Sequence, residues 1–333
     1  MNTIGSSGSV LLLAFFTLVT PSFADVFGSG KNQFTIDFVT VGNPGNRADR
    51  KGWPQNAGSV PYVYNIGKYE ISRSAITKGN SEGNLGITLD SMAFVPGGPR
   101  PEMPATGVSW NEAARFVNYL NTSQGYPAAY KFAKQPGDAG YSPNENIILW
   151  TPADPGYDAN NLFRNSQAHY FLPNVNEWYK SAFYDPHANS GAGGYWEYPT
   201  GSNTLPTPVA SGTKPGTVVW HVDSDPTDIM HAGGVSPYGT VAQAGNVWEW
   251  DETEEDLRNN DSSSFRGMRG GASNSGNREF ISVWYRSGLQ PASDFANLGF
   301  RVASVPEPSS EYLGAVSALG LLQLRRRANS LPR

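Results

Sequence analysis

The sequence predicts a mixed helix-and-strand fold of short elements joined by long loops, and three observations carry that expectation. The 333 residues include 37 Gly and 25 Pro with no collagen-like period, a composition that favours turns over long regular elements. Hydrophobic residues make up 38% of the chain, and 9 Trp, 16 Tyr and 16 Phe supply the area for a packed core. Segments with strand grammar and segments with amphipathic helix grammar then occur in the same stretch of chain.

FTIDFVTVG (34–42) and PYVYNIGKYEIS (61–72) cluster β-branched and aromatic residues between Gly, Pro and Asn, as strands do. The intervening NPGNRADRKGWPQNAG reads as a loop, and SRSAITKGN as a short helix. In MPATGVSWNEAARFVNYLN, Ser109 and Glu112 form a capping box, and Trp110, Ala113, Ala114, Val117 and Leu120 share one face. FLPNVNEWYKSAFYD repeats the pattern, with Asn174 as cap, Glu177 three residues on, and Trp178, Ala182 and Phe183 at helical spacing. Residues 185–239 form a long turn-rich segment. Tyr195, Trp196, Tyr198, Trp220 and Tyr238 within it predict ordered, packed loops. No internal repeat or boundary divides the chain between its ends into separate cores.

Both ends differ from the middle. The first 24 residues carry no charged side chain, and Val10 to Val19 is an apolar run followed by Ser22-Phe23-Ala24, the small-residue spacing of a cleavage site. Residues 1–24 therefore read as a signal peptide, although its start lacks Lys and Arg. At the other end a Pro306-Glu307-Pro308 box precedes the weakly apolar YLGAVSALGLLQL and the cluster Arg325, Arg326 and Arg327. This arrangement resembles a PEP-CTERM sorting signal, which implies processing by an exosortase-type enzyme and a transient membrane anchor over 305–333. Localisation to the cell envelope or beyond follows as an expectation. The domain between, 25–304, holds 20 basic and 27 acidic side chains, a sign that disfavours nucleic acid as a partner. The chain contains no cysteine, so disulfides do not contribute to its stability.

GKYEIS, GVSWNEAARFVNYLN, FLPNVNEWYKSAFYD, GNVWEW, RGG and NLGFR occur in that order across about residues 60–304. Together they resemble the sulfatase-modifying-factor family, which contains the formylglycine-generating enzymes. The resemblance implies one loop-rich α+β domain related to C-type lectin folds, with two amphipathic helices and small twisted antiparallel sheets.

Oxidising members hold copper through two cysteines between RGG and GFR. By the spacing of that family pattern the second maps onto Val283 and the first near Arg278, and neither side chain can supply a soft thiolate. No copper is expected, and formylglycine generation is not either. An iron- or copper-dependent oxidoreductase without thiolate ligands is the alternative. It would have to bring together three or more side chains from His169, His187, His221, His231 and the Asp/Glu set, and the histidines show no i, i+4 pair.

The resemblance also implies a calcium site at the carbonyls of Gly245 and Val247 and the carboxylate of Glu249. Ala242 stands where a fourth, side-chain oxygen is needed, so the site is weak, completed by another group, or lost. Trp248, Arg278 and Arg286 are the candidate groove residues, while Arg301 is expected to pair with an acidic residue such as Glu249. The run DETEED (251–256) lacks the spacing of a calcium loop and reads as a solvated turn. The functional expectation is an exported module that recognises a peptide or glycan. A purely structural component of extracellular polymer would instead bind no small ligand saturably.

Overall fold

The computed structural model describes residues 22–306, except 94, 96, 223 and 224. The signal peptide and the sorting signal lie outside the described residues, apart from 22–24 and 305–306.

In chain order the strands are β1 (Ser22–Phe27), β2 (Phe34–Val41), β3 (Tyr64–Gly67), β4 (Tyr170–Phe171), β5 (Tyr184–Asp185), β6 (Gly194–Tyr195), β7 (Thr207–Pro208), β8 (Thr217–Val218), β9 (Trp248–Glu254), β10 (Arg266–Arg269), β11 (Ser287–Leu289), β12 (Leu298–Gly299) and β13 (Ala303–Ser304). The main helices are α1 (Arg73–Gly83), α2 (Trp110–Ser123) and α3 (Val175–Phe183). The larger sheet runs β1-β2-β3-β13-β4 and is antiparallel throughout. The second runs β11-β10-β9-β12, and β12 joins β9 in parallel, as the long connection between them permits. β5-β6 and β7-β8 are separate two-stranded pairs, the latter also parallel. The fold is α+β, with two parallel pairings that the expectation of antiparallel sheets did not include.

The N-terminal strand spans the expected cleavage point. Cutting after Ala24 would remove half of β1 and leave Asp25, Val26 and Phe27 opposite Ile36, Thr35 and Phe34.

Helix starts follow local chemistry. Ser109 accepts from the Glu112 N–H at 3.1 Å, and Glu112 returns the bond to the Ser109 N–H at 2.9 Å. Asn174 and Glu177 close the same box on α3. The apolar face of α2 then packs with β2, β9 and α1 into the main core, which includes Phe34, Phe38, Ile76, Trp110, Phe116 and Trp250. α1 approaches α2 closely because Gly79 faces Phe116, where a Cβ would come within 2.8 Å of the ring. The indoles of Trp110 and Trp250 donate to the Asp251 and Val108 carbonyls, so these large side chains are buried without orphaned N–H groups. In the segment 185–239, Tyr198, Trp220 and Tyr238 are buried.

One expectation is overturned. DETEED is mostly not a solvated turn: Asp251, Glu252, Thr253 and Glu254 complete β9 and are buried. Buried charge requires partners, and distant segments provide them. Arg286 takes Asp251 through two bonds of 2.9 Å, Arg164 takes Glu252 at 2.6 Å, and Glu254 accepts from the Asp261 N–H at 2.5 Å.

Candidate functional site

The sequence blocks converge on a buried polar knot. Glu249 of β9 accepts from Arg301 Nε at 2.6 Å, from Arg301 Nη2, and from the Trp178 indole at 2.7 Å. Arg301, fully buried, also donates to the carbonyls of Gly67 and Val241 at 2.8 and 2.9 Å. Glu70, within the first block, accepts from Asn246 Nδ2 at 2.6 Å and from the Val247 N–H at 3.3 Å. Burial, and then the neighbouring Glu249 charge, push the Glu70 carboxyl well above its ordinary pKa. A group raised in this way contributes stability at acid pH that is lost as pH rises through its folded pKa. Glu70→Gln should therefore flatten the pH profile, with Tm above the parent by at least about 2 °C at pH 8 and no gain at pH 4.5, read by thermal melts across that range.

The three groove candidates do not converge on one open site. Trp248 is buried between Phe280 and Tyr285, with centroids at 5.3 and 5.7 Å. Arg278 is exposed on the 3-10 turn Arg278–Ile281. Arg286 is committed to Asp251 and to the carbonyls of Thr253 and Glu254, and it lies over Gly267, which has no side chain to obstruct it. Val283 is sealed among Ala57, Trp178, Tyr179, Ala182 and Phe183. Over it folds the 43–58 loop, whose Trp53 N–H donates to the Val283 carbonyl at 2.9 Å.

The principal cavity lies elsewhere, between that loop and the start of α3. Its volume is 620 Å³, within the roughly 300–1,000 Å³ of small-ligand sites. Its lining is rich in amides: Gln55, Asn56, Asn160, Asn161, Asn165, Asn174, Asn176 and Asn259. Some are structural. Asn161 bridges Glu252 and Asn259, and Asn165 donates to the Pro155 carbonyl. Others keep capacity for a ligand. Among the described residues, the side chains of Gln55 and Asn56 and the Nδ2 groups of Asn174 and Asn176 have no hydrogen-bond partner in the protein.

Arg164 reaches the cavity wall from an ion-pair cluster. It donates to Glu252 at 2.6 Å, to Glu177 at 3.2 and 3.1 Å, and lies 3.9 Å over the Phe171 ring. Burial opposes its charge, but the two carboxylates outweigh burial and hold its pKa above the ordinary value. Tyr62 donates to Glu177 at 2.6 Å while 43% of the residue remains exposed, which leaves its ring at the cavity. Burial and Glu177 push its hydroxyl pKa up, so it stays a donor. Among the described residues the cavity lining thus has one cation, Arg164, already balanced by two buried acids, and one further acid, Asp158, whose carboxylate accepts from Asn160, beside neutral amides and aromatic rings.

The model of the sulfatase-modifying factor enzyme 1-like domain matches residues 37–305. The chain belongs to that family. No curated protein matches it. Among solved structures, Treponema denticola variable protein 1 is similar with a TM-score of 0.55 and 17% identity, over 86% of this chain and 100% of that one. The structure of CarF is similar at a TM-score of 0.54 and 18% identity, over 82% and 99%. Both likenesses show the fold.

Within the family frame, the calcium expectation fails a fit test. Both oxygens of Glu249 are engaged by Arg301 and Trp178, and a dication sharing that carboxylate would face a buried guanidinium. Ala242 adds no side-chain oxygen. The residues present do not fit a calcium ion there, because Arg301, paired with Glu249 as the sequence suggested, already fills the cation's role. Among the described residues, no three of His, Asp and Glu gather as a metal-binding group. His169 instead stacks on Tyr126 at 4.5 Å.

The cavity itself was not foreseen. Its signal was the recurrence of Asn and Gln at 55, 56, 160, 161, 165, 174, 176 and 259, which in isolation reads as turn and cap chemistry.

Proposed function

We propose that this family member is an exported recognition module that binds a neutral glycan in the amide-lined cavity and does not generate formylglycine. The observation that carries the reading is the lining. Gln55 and Asn56 each offer a donor and an acceptor from one group, and Asn174 and Asn176 add Nδ2 donors, which matches the adjacent hydroxyls of a sugar; among the described residues the one cation of the wall is already neutralised. An acidic peptide would find no free cation at Arg164, which Glu177 and Glu252 already engage. The lack of formylglycine chemistry rests on composition, because the mapped cysteine positions are Arg278 and Val283. Export rests on the uncharged N-terminal segment and the Pro-Glu-Pro box with its basic end.

The test is a glycan array and solution titration with the purified chain, beside the double variant Gln55→Ala, Asn56→Gly. Glycine suits position 56 because Asn56 has φ 65. Loss of two ligand hydrogen bonds should weaken binding about tenfold without moving Tm. No neutral glycan above background, or conversion of a sulfatase peptide to its aldehyde, would refute the proposal.

A further inference from the structure

A second, smaller cavity of 350 Å³ adjoins the first. The two share Pro54, Gln55 and Leu257, so one thin wall separates them. Beyond that wall stand Trp53, Glu255, Asp256 and Arg286. Trp53 is 55% exposed, an uncommon position for the largest apolar side chain unless its surface is used.

Its backbone, in contrast, is firmly held. The N–H donates to the Val283 carbonyl at 2.9 Å, and the Trp53 carbonyl accepts from Nη2 of the fully buried Arg269. Arg269 is itself fixed by the Tyr285 carbonyl at 3.0 Å and by the Tyr179 ring, whose centroid is 5.0 Å away. The preceding Gly52 lies against Tyr179 so closely that a Cβ would sit 1.7 Å from the phenol oxygen. The following Pro54 is buried. An exposed indole on a pinned backbone pays little ordering entropy when a ligand stacks on it.

We infer that the two cavities are subsites of one extended site, and that Trp53 is the stacking platform for the sugar units of a linear neutral oligosaccharide that crosses the Gln55 wall. The indole face meets the apolar C–H face of a ring, while Gln55, open to both cavities, bonds hydroxyls on either side. Glu255 at the outer subsite sets its charge preference, while Asp256 beside it is paired with Arg258 at 3.7 Å. Arg286 is already paired with Asp251, so the Glu255 carboxylate repels uronic or sulfated units and tolerates neutral ones. This inference rests on the reading of the first cavity as a neutral-glycan site.

The experiment titrates the full chain with neutral glucose, mannose and N-acetylglucosamine oligosaccharides of one to six units, and with uronic-acid oligomers of equal length. The chain and its Trp53→Ala and Trp53→Phe variants are compared. Affinity for the bound neutral series should rise with length. Trp53→Ala should lower affinity for the longest oligomer about tenfold and leave the shortest ligands within about twofold, whereas Trp53→Phe retains most of the gain with length. Uronic-acid oligomers long enough to reach the outer subsite should bind more weakly than neutral ones of equal length, and equal binding would overturn the charge preference. If short sugars bind but affinity is flat with length, or if Trp53→Ala weakens all lengths equally, the second subsite is wrong while the first cavity stands. If no neutral sugar binds at any length, the glycan reading and this inference both fall. A Trp53→Ala chain with altered Tm would be read through Trp53→Phe, whose failure to bind longer oligomers more tightly than Trp53→Ala overturns the platform.

Discussion

Arg301→Met should destabilise the domain by about 3–5 kcal/mol, the cost of leaving one member of a buried ion pair without its partner. The substitution removes every charged contact to Glu249 and strips donors from the Gly67 and Val241 carbonyls, all in a fully buried site. A domain stability of about 5–15 kcal/mol makes that loss a large share of the whole. Adding Glu249→Gln should recover much of it, because the amide removes the stranded charge and still accepts from the Trp178 indole. Urea denaturation of the parent, single and double variants measures this. A single variant within about 1 kcal/mol of the parent would show that the knot is not the structural centre described above.

The second large effect is at the cavity wall. Arg164→Met leaves Glu177 and Glu252 buried and adjacent with no cation, again at about 3–5 kcal/mol near neutral pH. The loss should depend on pH. Burial already raises the Glu252 pKa against the pull of Arg164, so removing Arg164 raises it further. A raised folded pKa means stability that is present at acid pH and lost as pH rises through that value. The deficit relative to the parent should thus be small near pH 4.5 and grow toward pH 8. Thermal melts across that interval check the sign, and a deficit that grew toward acid would contradict the assignment of Glu252. Glycan binding should be lost with the cavity wall.

The two predictions share a feature that marks the limit of sequence reading here. The starts of α2 and α3 were legible because a capping box is a contact between residues three apart, written in Ser109 and Glu112 and in Asn174 and Glu177. The pairing of Arg301 with Glu249 was also within reach, since both belong to recognised blocks. DETEED was misread because an acidic run in isolation has no visible countercharge. Its partners Arg164 and Arg286 lie 88 and 35 positions away from the acids they neutralise. Trp248 and Arg286 were placed in a groove by resemblance, whereas packing put one against Phe280 and Tyr285 and the other against Asp251.

What the sequence determined alone is what needs no neighbour in space: the absence of any thiolate chemistry, the helix caps, the abundance of turns and the family blocks. The tertiary structure decided which carboxylates are buried, that Val283 is covered by the Trp53 loop, and that scattered Asn and Gln residues face one cavity. The physical reason is that composition and capping act within a few residues, whereas the cost of burying a charge or leaving an amide open depends on what the fold brings against it from far along the chain.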